Sequence, residues 1–122
     1  MEHPIYFPLK AAGGTDLELG CAIGPYPVLI KSIHLIDTDG IASATDAVKF
    51  EVKNGSTVIA DWDTATGQDG ALTADTAVDL TINAGTNFIA ANGAIKVTTT
   101  NASSGKAVEG GITVWVERTN VP

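Results

Sequence analysis

The sequence predicts an all-β chain folded as one β-sandwich of about eight strands, of the jelly-roll kind, with an extended N-terminal arm. Apolar and polar residues alternate with period two in short stretches, as half-buried strands require. Gly (13 of 122 residues), Asn and Asp punctuate the chain between those stretches, which places turns about 8–12 residues apart. No stretch carries the i, i+3, i+4 apolar spacing of an amphipathic helix. At 122 residues and 44% hydrophobic content, the chain is long enough for one domain with a core and too apolar for disorder. Aromatics make up only 6%, so that core is aliphatic.

The elements follow in chain order. Residues 1–14 are set apart as an arm because Pro4 and Pro8 flank the apolar Ile5, Tyr6 and Phe7, and proline restricts such a segment to a sheet edge or an extended strap. The segment either forms the first strand or adds a strand to a neighbouring chain. Residues 15–122 form the sandwich. Leu17, Leu19, Cys21 and Ile23 alternate as one strand, and Pro25 and Pro27 bracket a turn around Tyr26. "VLIKSIHLID" is apolar on both parities, which predicts a central strand covered on both faces, with His34 as a hydrogen-bonded core histidine. Val48, Phe50 and Val52 face one way and Lys49, Glu51 and Lys53 the other; Asn54-Gly55 then predicts a two-residue hairpin turn. After a polar connection, Val78, Leu80 and Ile82 share a face, as do Ile95, Val97 and Thr99. The last strand turns Ile112, Val114 and Val116 inward and Trp115 outward.

Composition also narrows function. A net charge of -7 argues against nucleic acid as a partner, since a phosphate backbone is met by clustered Lys and Arg. Between Lys53 and Lys96 there is no basic residue but there are Asp61, Asp63, Asp69, Asp75 and Asp79, so part of the surface is electronegative. The single cysteine, Cys21, forms no intrachain disulfide and suits an inert core position. No signal-peptide pattern and no membrane-length apolar run occurs, which predicts cytoplasmic synthesis and no membrane partner.

The most site-like stretch is "DTDGIASATD". Asp37, Asp39 and Asp46 are its candidate metal ligands, but the offsets of a calcium-binding EF-hand loop fail. Counting from Asp37, Gly40 arrives at position 4 instead of 6, and Val48 stands where a carboxylate belongs at position 12. A solvated connection with Asx-type turns is the stronger expectation, and no cofactor is predicted. His3 and His34 lack the companions of a transition-metal site, and no serine, Ser103 and Ser104 included, sits in a G-x-S-x-G elbow. The expectation is therefore a protein that is not an enzyme. Ile5, Tyr6, Phe7, Tyr26 and Trp115 are the interface candidates, since aromatics anchor protein contacts.

Three stretches together, "VLIKSIHLIDTDGIASATDAVKFEVKNGSTVIADWDT", "ALTADTAVDLTIN" and "FIAANGAIKVTTTNASSGKAVEGGITVWVER", resemble the tailed-phage head decoration (capsid cement) proteins of the jelly-roll type. The similarity spans about residues 15–119 and rests on strand and turn patterns. It implies a structural virion protein on the outer surface of an icosahedral phage head, made in the bacterial cytoplasm, with the major capsid protein and two further copies of itself as partners. A different class also fits the aromatics: a carbohydrate- or receptor-binding sandwich module that stacks sugars on Tyr26, Trp62 or Trp115, with calcium in the acidic loop.

Overall fold

The computed structural model describes residues 1–45, 47–102 and 106–119; Asp46, Ser103 and Ser104 lie outside them. Nine strands succeed one another: β1 (Glu2–Ala11), β2 (Leu17–Ala22), β3 (Val28–Asp37), β4 (Val48–Asn54), β5 (Thr57–Asp63), β6 (Val78–Asp79), β7 (Phe88–Ile89), β8 (Ala94–Asn101) and β9 (Val108–Arg118). Among the described residues there is no helix. One sheet runs β1-β9-β3-β6, with β7 also on β3, and the other runs β2-β8-β4-β5. All pairings between strands are antiparallel. β6 and β7 lie end to end along one edge of β3, opposite Leu35 and His34 and then opposite Leu29 and Val28. They are one strand position, interrupted, so eight positions are filled by nine strands. The chain crosses between sheets in the jelly-roll order.

The interruption has a structural use. Between β6 and β7 the chain leaves β3 and reaches the other sheet, where Asn83 N–H donates to Ile59 O at 2.7 Å and its side-chain Nδ2 donates to Val58 O at 3.0 Å. This stitches the two sheets together along one edge of the sandwich. Asn83→Ala removes the side-chain bond and keeps the backbone one, so urea unfolding should show a loss of about 0.5–1 kcal/mol.

The core is aliphatic, as the composition predicts. Val48, Phe50 and Val52 from β4, Ile95 and Val97 from β8, and Ile112, Val114 and Val116 from β9 are all buried in it. β3 departs from simple alternation. A β-bulge leaves Lys31 with no opposite residue on β9, so Val28 and Ile30 point inward before it, and Ile33 and Leu35 after it. The extra residue reverses the parity of everything that follows. That is why the segment is apolar on both parities, and it corrects the expectation of a strand covered on both faces. The outer face of β3 carries half-buried Leu29, His34 and Ile36, so His34 is not a core histidine.

Two further details refine the expectations. Asn54 still pairs with Thr57, so the hairpin's central residues are Gly55 and Ser56. Of these only Gly55 has positive φ (61°), the arrangement of a II′ turn, which matches the right-handed twist of its strands. Residues 2–11, set apart as an arm, run as the edge strand β1 along the whole of β9 in the same chain, with Phe7 and Leu9 buried in the core. Pro4 and Pro8 share a parity, and a continuous ladder to β9 requires their missing donors to face the free edge. That edge therefore lacks two of the N–H groups on which another strand would pair.

Candidate functional site

Strand register places side chains on the outer faces, and the two faces differ. On the β2-β8-β4-β5 sheet, Glu18, Thr98, Glu51 and Asp61 form one cross-strand row, with Lys96 and Lys53 opposed on one side of it and Thr100 and Lys49 on the other. Lys96 reaches Glu18 at 3.4 Å, Lys53 reaches Glu51 at 3.6 Å and Lys49 reaches Asp61 at 3.8 Å. This is a charged, self-compensated surface on which the Lys53–Glu51 pair is the most covered and the other two are open to water, and an exposed pair adds only about 0–1 kcal/mol.

The outer face of the β1-β9-β3 sheet is of another kind. Pro4, Trp115 and Ser32 lie in one row, Tyr6, Thr113 and His34 in the next, and Pro8, Gly111 and Ile36 in a third. At the far end Leu29 pairs with Phe88. Tyr6 is 57% exposed and its hydroxyl donates to Gly110 O at 3.2 Å, so the ring lies across the two glycines of β9. Past the end of β9, Tyr26 is 47% exposed with the Arg118 guanidinium 3.7 Å from its ring centre, a cation–π contact. The centre of this face is aromatic, proline and aliphatic, a composition that favours contact with protein, and charged residues flank it: Glu2 and Glu117 beside Leu29 at one end, Lys10 and Glu109 at the other, and Asp79 beside His34.

The same face holds a hydrogen-bonded chain of three polar residues. His34 Nδ1 lies 2.5 Å from Asp79 Oδ1 and His34 Nε2 lies 3.2 Å from Ser32 Oγ. Ser32 and His34 are two apart on β3 and so share its outer face, and Asp79 stands opposite His34 on β6. The bulge at Lys31 is what turns them outward. Sequence alternation alone put His34 in the core and so missed this group; the Lys at position 31, inside an otherwise apolar run, was the signal for a parity change.

In the acidic loop, Asp37 ties the backbone together. Asp37 is 1% exposed. Its Oδ1 accepts the N–H groups of Asp39 (3.0 Å) and Gly40 (2.8 Å), and its Oδ2 accepts that of Glu109 (3.2 Å). Ile41 is buried and exchanges backbone hydrogen bonds with Leu72 at 2.9 Å in both directions. The Asx turn is as expected, but the connection is anchored to the domain and not solvated throughout. Asp39 is exposed, Asp46 is outside the described residues, and among the described residues no group of three His, Cys, Asp or Glu side chains converges to hold a metal.

The interface candidates divide by parity. Tyr6 and Trp115 stand on the outer face, Trp115 half-buried there between Pro4 and Ser32, while Tyr26 lies at the end of β9 against Arg118. Phe7 is only 3% exposed and belongs to the core, and Ile5 also points inward against it, because odd positions of β1 pair with the inward positions of β9. They support the face from beneath and do not form it. Trp62, opposite Phe50, packs partly buried against the core, with its Nε1–H donating to Gly70 O at 3.0 Å. Cys21 is partly buried against the core.

No family model matches the chain, and no curated protein matches it. Among solved structures, a chain from a structure of infectious bursal disease virus Gx strain is similar, with a TM-score of 0.39 and 16% identity over 98% of this chain. This chain spans 33% of that one.

Proposed function

We propose that this chain is a structural virion protein that lies on the outer surface of a phage head as a decoration, or cement, subunit. The observation that carries the proposal is the contrast between the centres of the two outer faces, an aromatic and proline patch rimmed by charges on one and a continuous lysine–carboxylate lattice on the other. A subunit held on a shell needs one adhesive face and one that tolerates water and crowding. The Tyr6–Trp115 face supplies the first and the lysine–carboxylate face the second. The strand and turn resemblance to decoration proteins points the same way, and so does the net charge of -7, which keeps a densely displayed protein from clumping. Its partners are the major capsid protein and two further copies of itself. A three-fold ring closes through heterologous contacts, and many weak contacts together raise the barrier to shell opening, which is kinetic stabilisation.

The test is co-sedimentation with undecorated heads of the phage that encodes it. Binding should be saturable, with trimers in equilibrium sedimentation. Tyr6→Glu should weaken it at least about tenfold, as expected for a central aromatic anchor, while Lys49→Ala on the charged face leaves it unchanged. No binding by the folded wild-type chain, or equal loss in both variants, would remove the proposal.

A further inference from the structure

We propose that Ser32, His34 and Asp79 form a nucleophilic triad that accepts an acyl group from an activated ester or thioester onto Ser32 Oγ, an activity distinct from docking. A nucleophilic serine requires a base within hydrogen-bond reach and a third group that orients the base. Both contacts are present, at 3.2 Å from Ser32 Oγ to His34 Nε2 and 2.5 Å from His34 Nδ1 to Asp79 Oδ1. A carboxylate oxygen only accepts, so the Asp79 contact sets the tautomer with hydrogen on Nδ1. Nε2 is then left with a lone pair aimed at the Ser32 hydroxyl. On the free chain, before that face is covered by docking, the group is open to reagents, since the His34 and Asp79 side chains are 36% and 82% exposed. Trp115 and Pro4 lie in the same row as Ser32 and give an acyl or aryl portion an apolar strip beside the nucleophile.

The step balances without a further reagent. Ser32 Oγ bonds to the carbonyl carbon as its proton passes to His34 Nε2. The bond from that carbon to the leaving oxygen or sulfur breaks, and the leaving group takes the proton from His34. Water then attacks the acyl-serine by the same route in reverse, His34 receiving its proton and returning one to Ser32 Oγ. β3 is paired with β9 on either side of the Lys31 bulge, so those backbone donors serve the sheet and a developing oxyanion relies on solvent. The substrate class is therefore limited to esters and thioesters with good leaving groups, and deacylation is slow.

The experiment treats the folded chain with a fluorophosphonate probe and, separately, with p-nitrophenyl acetate, and follows adducts by intact mass and peptide mapping. One adduct per chain is expected, on Ser32, and Ser32→Ala should abolish it. His34→Gln should slow labelling about 100-fold by removing the base, and Asp79→Asn about tenfold by releasing the tautomer. Ser56→Ala, at the hairpin turn, should label at the wild-type rate. Asp79 is mostly exposed, so its variant keeps the test readable even if a change on β3 disturbs folding. Adducts only on lysines or other hydroxyls, or labelling of Ser32 unchanged by Asp79→Asn and His34→Gln, would overturn the proposal.

Discussion

Asp37→Ala is expected to lower the unfolding free energy by about 3–4 kcal/mol, although it removes a charged residue from a surface connection. The carboxylate is buried and accepts three backbone N–H groups, two from its own loop and one from the start of β9. Truncation leaves all three part-buried N–H groups without that partner, and an unmet buried donor costs about 1–3 kcal/mol. The sum is less than three full penalties because the loop can relax. Asp37→Asn separates charge from shape. Its oxygen can keep the Asp39 and Gly40 bonds, but its amide then points a donor at the Glu109 N–H, and a loss of about 2 kcal/mol follows. Urea unfolding at neutral pH measures both, with the midpoint falling at unchanged slope. A loss below about 1 kcal/mol for the alanine variant would show that these bonds exchange freely with water.

Gly110→Ala and Gly111→Ala should differ by about 2 kcal/mol or more, although the two glycines are neighbours on one strand. A Cβ at Gly110 would stand 2.0 Å from Ile36 O and 2.9 Å from the Asp37 Cα, both backbone atoms of the adjacent strand. Neither can turn aside, so β3 and β9 must part where Asp37 also ties them, at a cost of about 3 kcal/mol. A Cβ at Gly111 would instead meet the Tyr6 ring at 2.4 Å. That ring is exposed and can swing into solvent, with loss of its bond to Gly110 O, a change of about 1 kcal/mol. Thermal and urea unfolding of the two variants side by side decide the point. Equal losses would mean that the strands adjust as easily as the side chain.

Much of the fold was legible in the sequence because strand parity is a local property. β4 and β8 were read correctly from alternation alone, and so was the outward turn of Trp115. What escaped depends on register between distant segments. Nothing local to "HPIYFPLK" says that it pairs with residues 108–117 of the same chain, and so Phe7 passed for an interface residue while it fills the core. A single inserted residue at Lys31 reversed the expected facing of His34 and brought it to Asp79, which lies 45 positions further on. Asp37 was named only beside Asp39 and Asp46 as a candidate metal ligand, and its burial could not be inferred without knowing that β9 lies beside it.

The place of β9 also sets a timetable. It lies between β1 and β3, yet it is the last of the nine strands to be synthesised. Until residues 108–118 are available, the first and third strands have a strand-wide gap between them and nothing to close it. The β1-β9-β3 sheet therefore forms late, by a contact spanning more than a hundred residues (Glu2 to Glu117), and topology of this kind folds on the millisecond-to-second scale. During that interval β1 waits with its partner edge unpaired, and its prolines guard only the opposite edge. A nascent chain stalled before β9 is thus the form most exposed to pairing with its neighbours on a crowded polysome.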